Sequence, residues 1–286
     1  MLYFNHISLK EGNHMATKKT ASAKKSMTKK TSSNVTTVKA VSSKKSTSTL
    51  FGLKLTRSPQ LGAGIAEFLG AFLLTAAVIA GQGQPIIVLF AIAGIALVVG
   101  GMSGAHLNPA VTLGAWATRK ITGIRALVYI AAQLLGGALA LVVLNGFISA
   151  APEVGHQAAA YAQAAPTLFK ATAIPQGKEW AIFFAELLGA SIFAFSVATA
   201  FRLKERSAAA LSVGLGLFVA LLIAGSAAQF VGGTAILNPA VAVGLQAINF
   251  NSIWPIAVYV FAASLGGVIG FILNDLLTVE SDGGRS

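Results

Sequence analysis

Six long apolar runs dominate the chain, at roughly 61–81, 85–103, 126–148, 180–201, 208–231 and 253–274. Each is near the roughly 20 residues that a helix needs to cross hydrocarbon, where only helices and closed barrels satisfy their own backbone. None alternates as a barrel strand does, so all six are read as transmembrane helices. Two further apolar stretches, 107–117 and 237–248, are too short to cross. Near the start of each stands the same tripeptide, Asn108-Pro109-Ala110 and Asn238-Pro239-Ala240. Asn is a good helix N-cap and Pro is favoured at the first helical position, where its missing N–H had no intrahelical partner. Both stretches are therefore expected to be re-entrant half-helices.

The chain also repeats itself. Ala66-Glu67-Phe68-Leu69-Gly70-Ala71 opens the first run and Ala185-Glu186-Leu187-Leu188-Gly189-Ala190 opens the fourth. The tripeptides follow in matching places, so each half holds three spans and one half-helix. Three is odd, so the second half must enter the membrane upside down, the inverted-repeat arrangement with broken helices meeting near the midplane. The expected fold is an all-α polytopic membrane protein with six transmembrane helices and two re-entrant half-helices. Its expected divisions are a tail at 1–57, a first repeat at 58–148, a connecting loop at 149–179, a second repeat at 180–275 and a short tail at 276–286.

Charge separates the amino-terminal tail from the rest. Residues 1–57 carry eleven Lys and Arg57 against Glu11, a net +11, whereas residues 58–286 carry +1. A segment this rich in Lys, Ser, Thr and Ala buries too little apolar surface to fold, and it is expected to be disordered. Met15 is a second candidate start, and no apolar run before residue 58 resembles a signal peptide. Basic residues mark the cytoplasmic side of membrane proteins. With the tail inside, Arg119, Lys120 and Arg125 fall inside too, as do Arg202, Lys204 and Arg206. Six spans with both termini cytoplasmic, in the cell membrane, follow. With no Cys, thiol chemistry is excluded, and four scattered His suggest no metal cluster.

The two Ala-Glu-x-Leu-Gly-Ala openings, SGAHLNPAVTLG at 103–114, YIAAQLLGGA at 129–138 and GGTAILNPAV at 232–241 resemble the major intrinsic protein family, the aquaporins and aquaglyceroporins. The resemblance covers about residues 60–275. It implies a passive channel in the lipid bilayer for water or small neutral solutes of the glycerol, urea and ammonia class. It implies exclusion of ions and protons, a homotetramer with one pore per subunit, no cofactor, no metal and no nucleic-acid partner. The expected pore motif is Asn108, Pro109, Ala110, Asn238, Pro239 and Ala240. Each Asn is expected to hold its turn and to donate a remaining amide N–H into the lumen, and the positive half-helix ends to oppose cations. An intramembrane carboxylate is a proton-relay candidate by default. By the family resemblance, Glu67 and Glu186 instead brace the irregular loops, with Gln133 alongside. His106 packs the loop or gates it.

One position departs from the family's pattern. Strict water channels of the family usually carry Arg after the second tripeptide, and here Val241 stands there. By spacing, the rest of the constriction is expected to be Val88, Ala235 and a fifth-span residue, Ser226 or its rival Ile223. That set lacks both the cation and the aromatic, which points to a wider, less polar filter and to solutes larger than water. Two other classes compete. An ion-coupled secondary transporter shares inverted repeats and broken helices, and a membrane-tethered nucleic-acid or lipid binder would act through the basic tail. No phosphate loop, nucleophile elbow or metal cluster marks an enzyme.

Overall fold

The computed structural model describes residues 47–50, 53–56, 58–150 and 167–278. The chain divides into Met1–Lys44, which lies outside the described residues, and Lys45–Ser286. Most of the expected disordered tail, the middle of the connecting loop and the last eight residues also fall outside the description. Within the expected tail, β1 (Thr47–Leu50) and β2 (Leu53–Thr56) pair antiparallel, with Thr47 opposite Thr56 and Leu50 opposite Leu53. The β-branched Thr residues at 47, 49 and 56 favour such strands.

Eight helices follow among the described residues. The six long ones are α1 (Pro59–Ala80), α2 (Pro85–Ser103), α4 (Gly123–Ser149), α5 (Glu179–Ala200), α6 (Arg206–Gln229) and α8 (Trp254–Leu277). Each is long and apolar enough to cross a membrane. The short ones are α3 (Pro109–Ala117) and α7 (Pro239–Gly244), and both begin at the repeated tripeptide. Within α8, residues Ala257–Ala262 widen into a π-helical stretch. Large apolar side chains such as Phe90, Val98, Leu127, Leu135, Val142 and Phe147 lie exposed along the long helices, as lipid-facing surfaces require.

The repeats pack with two-fold logic. α1 lies against α4 and α5 against α8, while α2 and α6 meet between the halves. The half-helices cross over: α3 packs on α8 and α7 on α4, so each rests on the last long helix of the other repeat. Glycines make this close approach possible. A Cβ on Gly137 of α4 would strike the Ala240 backbone, and one on Gly267 of α8 would strike the Ala110 backbone. Their neighbours Gly136 and Gly266 lie as tightly against the backbone of Phe68 in α1 and Leu187 in α5. Small-residue faces replace hydrophobic burial as the source of helix association in lipid.

At one end of the bundle, Asp275 of α8 accepts from Lys120 at 2.9 Å and from Arg202 at 2.7 Å. This ties the α3–α4 link, the end of α5 and the end of α8 together. At the other end, Trp180 packs edge-on against Phe183 and Trp254.

Candidate functional site

The site is built around two residues held in left-handed backbone, Leu107 and Leu237, with φ of 53° and 62°. A non-glycine residue there costs on the order of 1–3 kcal/mol and persists only where its surroundings over-determine it. Three clamps do so in each repeat. The Leu107 N–H donates to Glu67 Oε2 at 2.7 Å, and the Leu237 N–H to Glu186 Oε2 at 2.9 Å. The other oxygen of each carboxylate accepts the preceding amide, His106 N–H at 2.9 Å and Ile236 N–H. The leucine side chains then fill the gaps left by Gly70 and Gly189. This accounts for the Glu-x-x-Gly spacing of the two helix openings. Residues three apart share one helix face, so the Glu takes the leucine's amide while the Gly admits its side chain.

The third clamp joins the repeats. Asn108 caps α3 by accepting from Ala110 N–H at 2.8 Å, and Asn238 caps α7 by accepting from Ala240 N–H at 3.0 Å. Each side-chain amide then donates across the molecule. Asn108 Nδ2 donates to the Leu237 carbonyl at 2.8 Å, and Asn238 Nδ2 donates to the Leu107 carbonyl at 2.9 Å. A side-chain amide carries two N–H groups, so one on each Asn is spent on this cross-link and one is left over. The cross-link was not visible in the sequence. It depends on the left-handed turn that aims each leucine carbonyl at the opposite half.

Tyrosines of α4 and α8 hold the approaches to the half-helices. Tyr129 OH donates to the Ser103 carbonyl at 2.8 Å and Tyr259 OH to the Thr234 carbonyl at 3.1 Å. Around the first repeat lies a buried polar cluster. Gln133 Nε2 donates to Glu67 Oε2 at 2.7 Å and to Thr112 Oγ1 at 2.9 Å, and His106 Nδ1 sits 3.2 Å from the same hydroxyl. Thr112 donates back to the Asn108 carbonyl at 3.0 Å. His106 thus packs within the loop, with its ring edge-on to Tyr129.

Three chambers lie along α6, ordered by its residue numbers. The first, about 450 Å³, is lined by Arg206 and Val213 of α6 together with His106, Gly104 and Phe201. The second, about 60 Å³, is lined by Leu217 and Leu221 with Asn108, Asn238, Phe193 and Val241. The third, about 560 Å³, takes Leu221, Ser226 and Gln229 with Gln82 and Thr234. The first two chambers share no lining residue, and the step from Val213 to Leu217 is about 6 Å of helix rise. The second and third share Gly83, Phe169, Leu221, Thr234 and Ala235. The result is two open ends and a narrow waist. Among the described residues, Arg206 is the sole charged side chain lining any of the three.

Val88, Ala235 and Val241 come together at the waist with both Asn side chains. Ser226 lines the wide third chamber, and Ile223 is 44% exposed on the outside of the bundle. The fifth-span residue at the level of Val241 is Leu221. It continues the stripe of Leu217 one turn on, whereas Ser226, five residues further, lines the third chamber and not the waist. The waist also holds aromatic rings that the tripeptide spacing did not predict. Phe193 comes from α5, and Phe169 comes from the described part of the connecting segment.

A model of the family described as major intrinsic protein matches residues 54–273. The glycerol uptake facilitator protein-like 6 of Lactiplantibacillus plantarum is 31% identical over 218 residues, 72% of this chain and 93% of the relative. Aquaporin-1 of Ovis aries is 50% identical over a shorter stretch of 62 residues, 22% of this chain and 23% of the relative. Among solved structures, the aquaglyceroporin from Plasmodium falciparum superposes with a TM-score of 0.57 at 22% identity, covering 76% of this chain and 96% of that one.

Proposed function

The chain belongs to the major intrinsic protein family, and on that premise we propose that this multi-pass membrane channel conducts water together with small neutral polyols of glycerol's class. It is a passive channel and not an enzyme. The observation that carries the solute class is the waist itself, a chamber of about 60 Å³ with no charged lining residue among the described residues, mostly aliphatic walls and two convergent amides. An ion entering it would shed hydration without replacement, which is prohibitive. A polyol lays its C–H edge on the aliphatic wall and its hydroxyls on the amides. The name of the Lactiplantibacillus relative supports the same class.

The N–H that each of Asn108 and Asn238 keeps free of the cross-link is the donor offered to the passing oxygen. Glu67, Glu186 and Gln133 act as braces of the re-entrant turns. Ion and proton exclusion rests on the uncharged waist and the two capped helix starts. The basic end, with Lys120, Arg202 and Arg206, is cytoplasmic, which puts the Lys-rich tail inside and the protein in the cell membrane. The assembly is a homotetramer, each subunit with its own conduit. A transporter coupled to protons would need a titratable group facing the waist, and none of the described residues lining it is titratable.

Stopped-flow light scattering on proteoliposomes tests this reading. Water and glycerol permeabilities above those of empty liposomes are expected, with no dependence on an imposed proton or sodium gradient. Val241→Arg places a cation and a long side chain at the waist. It is expected to lower glycerol permeability at least about tenfold, equivalent to roughly 1.4 kcal/mol of barrier, while water passage persists. Equal loss of both would refute a size-and-polarity filter at Val241.

A further inference from the structure

We propose that Phe169, carried by the connecting segment and not by a transmembrane helix, is the aromatic wall of the constriction and sets the size of polyol that passes. The inference rests on the solute class proposed above. Phe169 lines both the waist and the wide third chamber, so it stands at the step between them. Of the five residues shared by those chambers it has the largest side chain, the others being Gly83, Leu221, Thr234 and Ala235. Deeper at the waist the wall includes Val88, Val241 and a second ring, Phe193. Phe169 is therefore the bulkiest group at the step itself, the first aromatic a solute meets on its way from the third chamber to the amides.

The ring is also fixed in place. The Ala171 N–H donates to the Leu245 carbonyl at 3.0 Å, and the Thr172 N–H to Thr234 Oγ1 at 3.0 Å. Both acceptors belong to the second re-entrant segment, and Leu245 and Thr234 themselves line the waist. The connecting segment thus hangs on the half-helix that supplies Val241. On the far side the ring packs on Gly83, which has φ of 68°. A Cβ at that position would lie 2.7 Å from two ring carbons. Two straps and a glycine seat hold a rigid, two-torsion side chain across a narrow opening, and this is what a size filter requires. A ring face also suits the C–H side of a polyol.

The test uses the full chain in proteoliposomes and reads the ratio of xylitol to glycerol permeability, with water as a third solute. Phe169→Ala is expected to raise that ratio about fivefold or more, a barrier change of roughly 1 kcal/mol. Phe169→Trp is expected to lower it. Thr234→Val removes the strap's acceptor and leaves the ring, so it should move the ratio in the same direction as Phe169→Ala. Thr234→Ser keeps the acceptor and should move it less. Thermal unfolding of each variant in detergent separates loss of fold from loss of filter, and the Trp and Val variants carry the test if the Ala variant does not fold. Ratios unchanged across both Phe169 variants, with glycerol still passing, would overturn this inference alone. A wild type that passes water and no polyol would overturn the solute class, and this inference with it.

Discussion

In the first repeat the buried carboxylate of Glu67 accepts from His106, Leu107 and Gln133; in the second, among the described residues, Glu186 accepts from Ile236 and Leu237 alone. From the half-helix approach onward the repeats run at a constant offset of 130 residues. Asn108 matches Asn238, Tyr129 matches Tyr259 and Gly137 matches Gly267. At that offset His106, Thr112 and Gln133 become Ile236, Ala242 and Ala263. The left-handed leucine, its carboxylate, its glycine seat and the cross-linking Asn survive in both halves, so they suffice to make the turn. The polar cluster is an addition to one half. It lies toward the chamber lined by His106 and Arg206, while the apolar half faces the waist with Ala235 and Val241. A backbone device is thus repeated, and its surroundings are differentiated.

The largest test of that contrast is to remove each carboxylate. Glu186→Ala leaves two buried amides without an acceptor, at roughly 1–3 kcal/mol each, and among the described residues no side chain donates to that carboxylate as Gln133 does to Glu67. Glu67→Ala orphans two amides beside Gln133 and Thr112, which can turn toward them. The midpoint of thermal unfolding in detergent should therefore fall further for Glu186→Ala, and equal losses would break the comparison. Next comes Gln133→Leu, which brings the first repeat to the state of the second. Losing a hydrogen bond to a charged group costs about 1.5–3 kcal/mol, and the same assay should show a smaller drop than either Glu variant, with water permeability retained. No drop would make the polar cluster idle.

The smallest effect lies at the helix starts on the water side. Glu205 caps α6 by accepting from Ala208 N–H at 2.8 Å, whereas Gln84, the cap of the matching α2, makes no side-chain bond. The bond from the Ser207 hydroxyl, with that of Ala208, holds the Glu205 carboxyl below its ordinary range. Its stabilising effect is fully present above the ordinary value of about 4.3 and is lost as pH falls through the lowered one. Hydrogen exchange of first-turn amides, corrected for intrinsic rates, should speed up below that value in α6 and not in α2.

The six spans, the two half-helices and the inverted relation of the halves were legible because each rests on local chemistry: run length, an Asn cap and a Pro behind it. Glu67 and Glu186 were legible as residues but not their grip on Leu107 and Leu237, since no local propensity puts a leucine in left-handed backbone. The same turn redirects one amide N–H of each Asn from the lumen to the opposite carbonyl. Counting back from a motif named Val88 and Ala235, which line the waist. It missed Leu221 because the stretch between α6 and the second motif is irregular, so spacing along the chain does not give the phase of the helix. Phe169 was out of reach for a stronger reason. Its place depends on acceptors at Thr234 and Leu245, more than sixty residues away.

The exchange of half-helices between repeats bears on how the chain is made. α3 leaves the ribosome well before α8, the helix it finally rests on, and at about 5–20 residues per second the delay is on the order of ten seconds. Throughout that time the Leu107 carbonyl has no Asn238 amide to accept from, and the Ala110 backbone has no Gly267 to lie against. Maturation of the amino-terminal half is therefore deferred until translation is nearly over. A ribosome that stalls before α8 should release a product with spans inserted and its re-entrant loop still unformed, a ready mark for quality-control proteolysis.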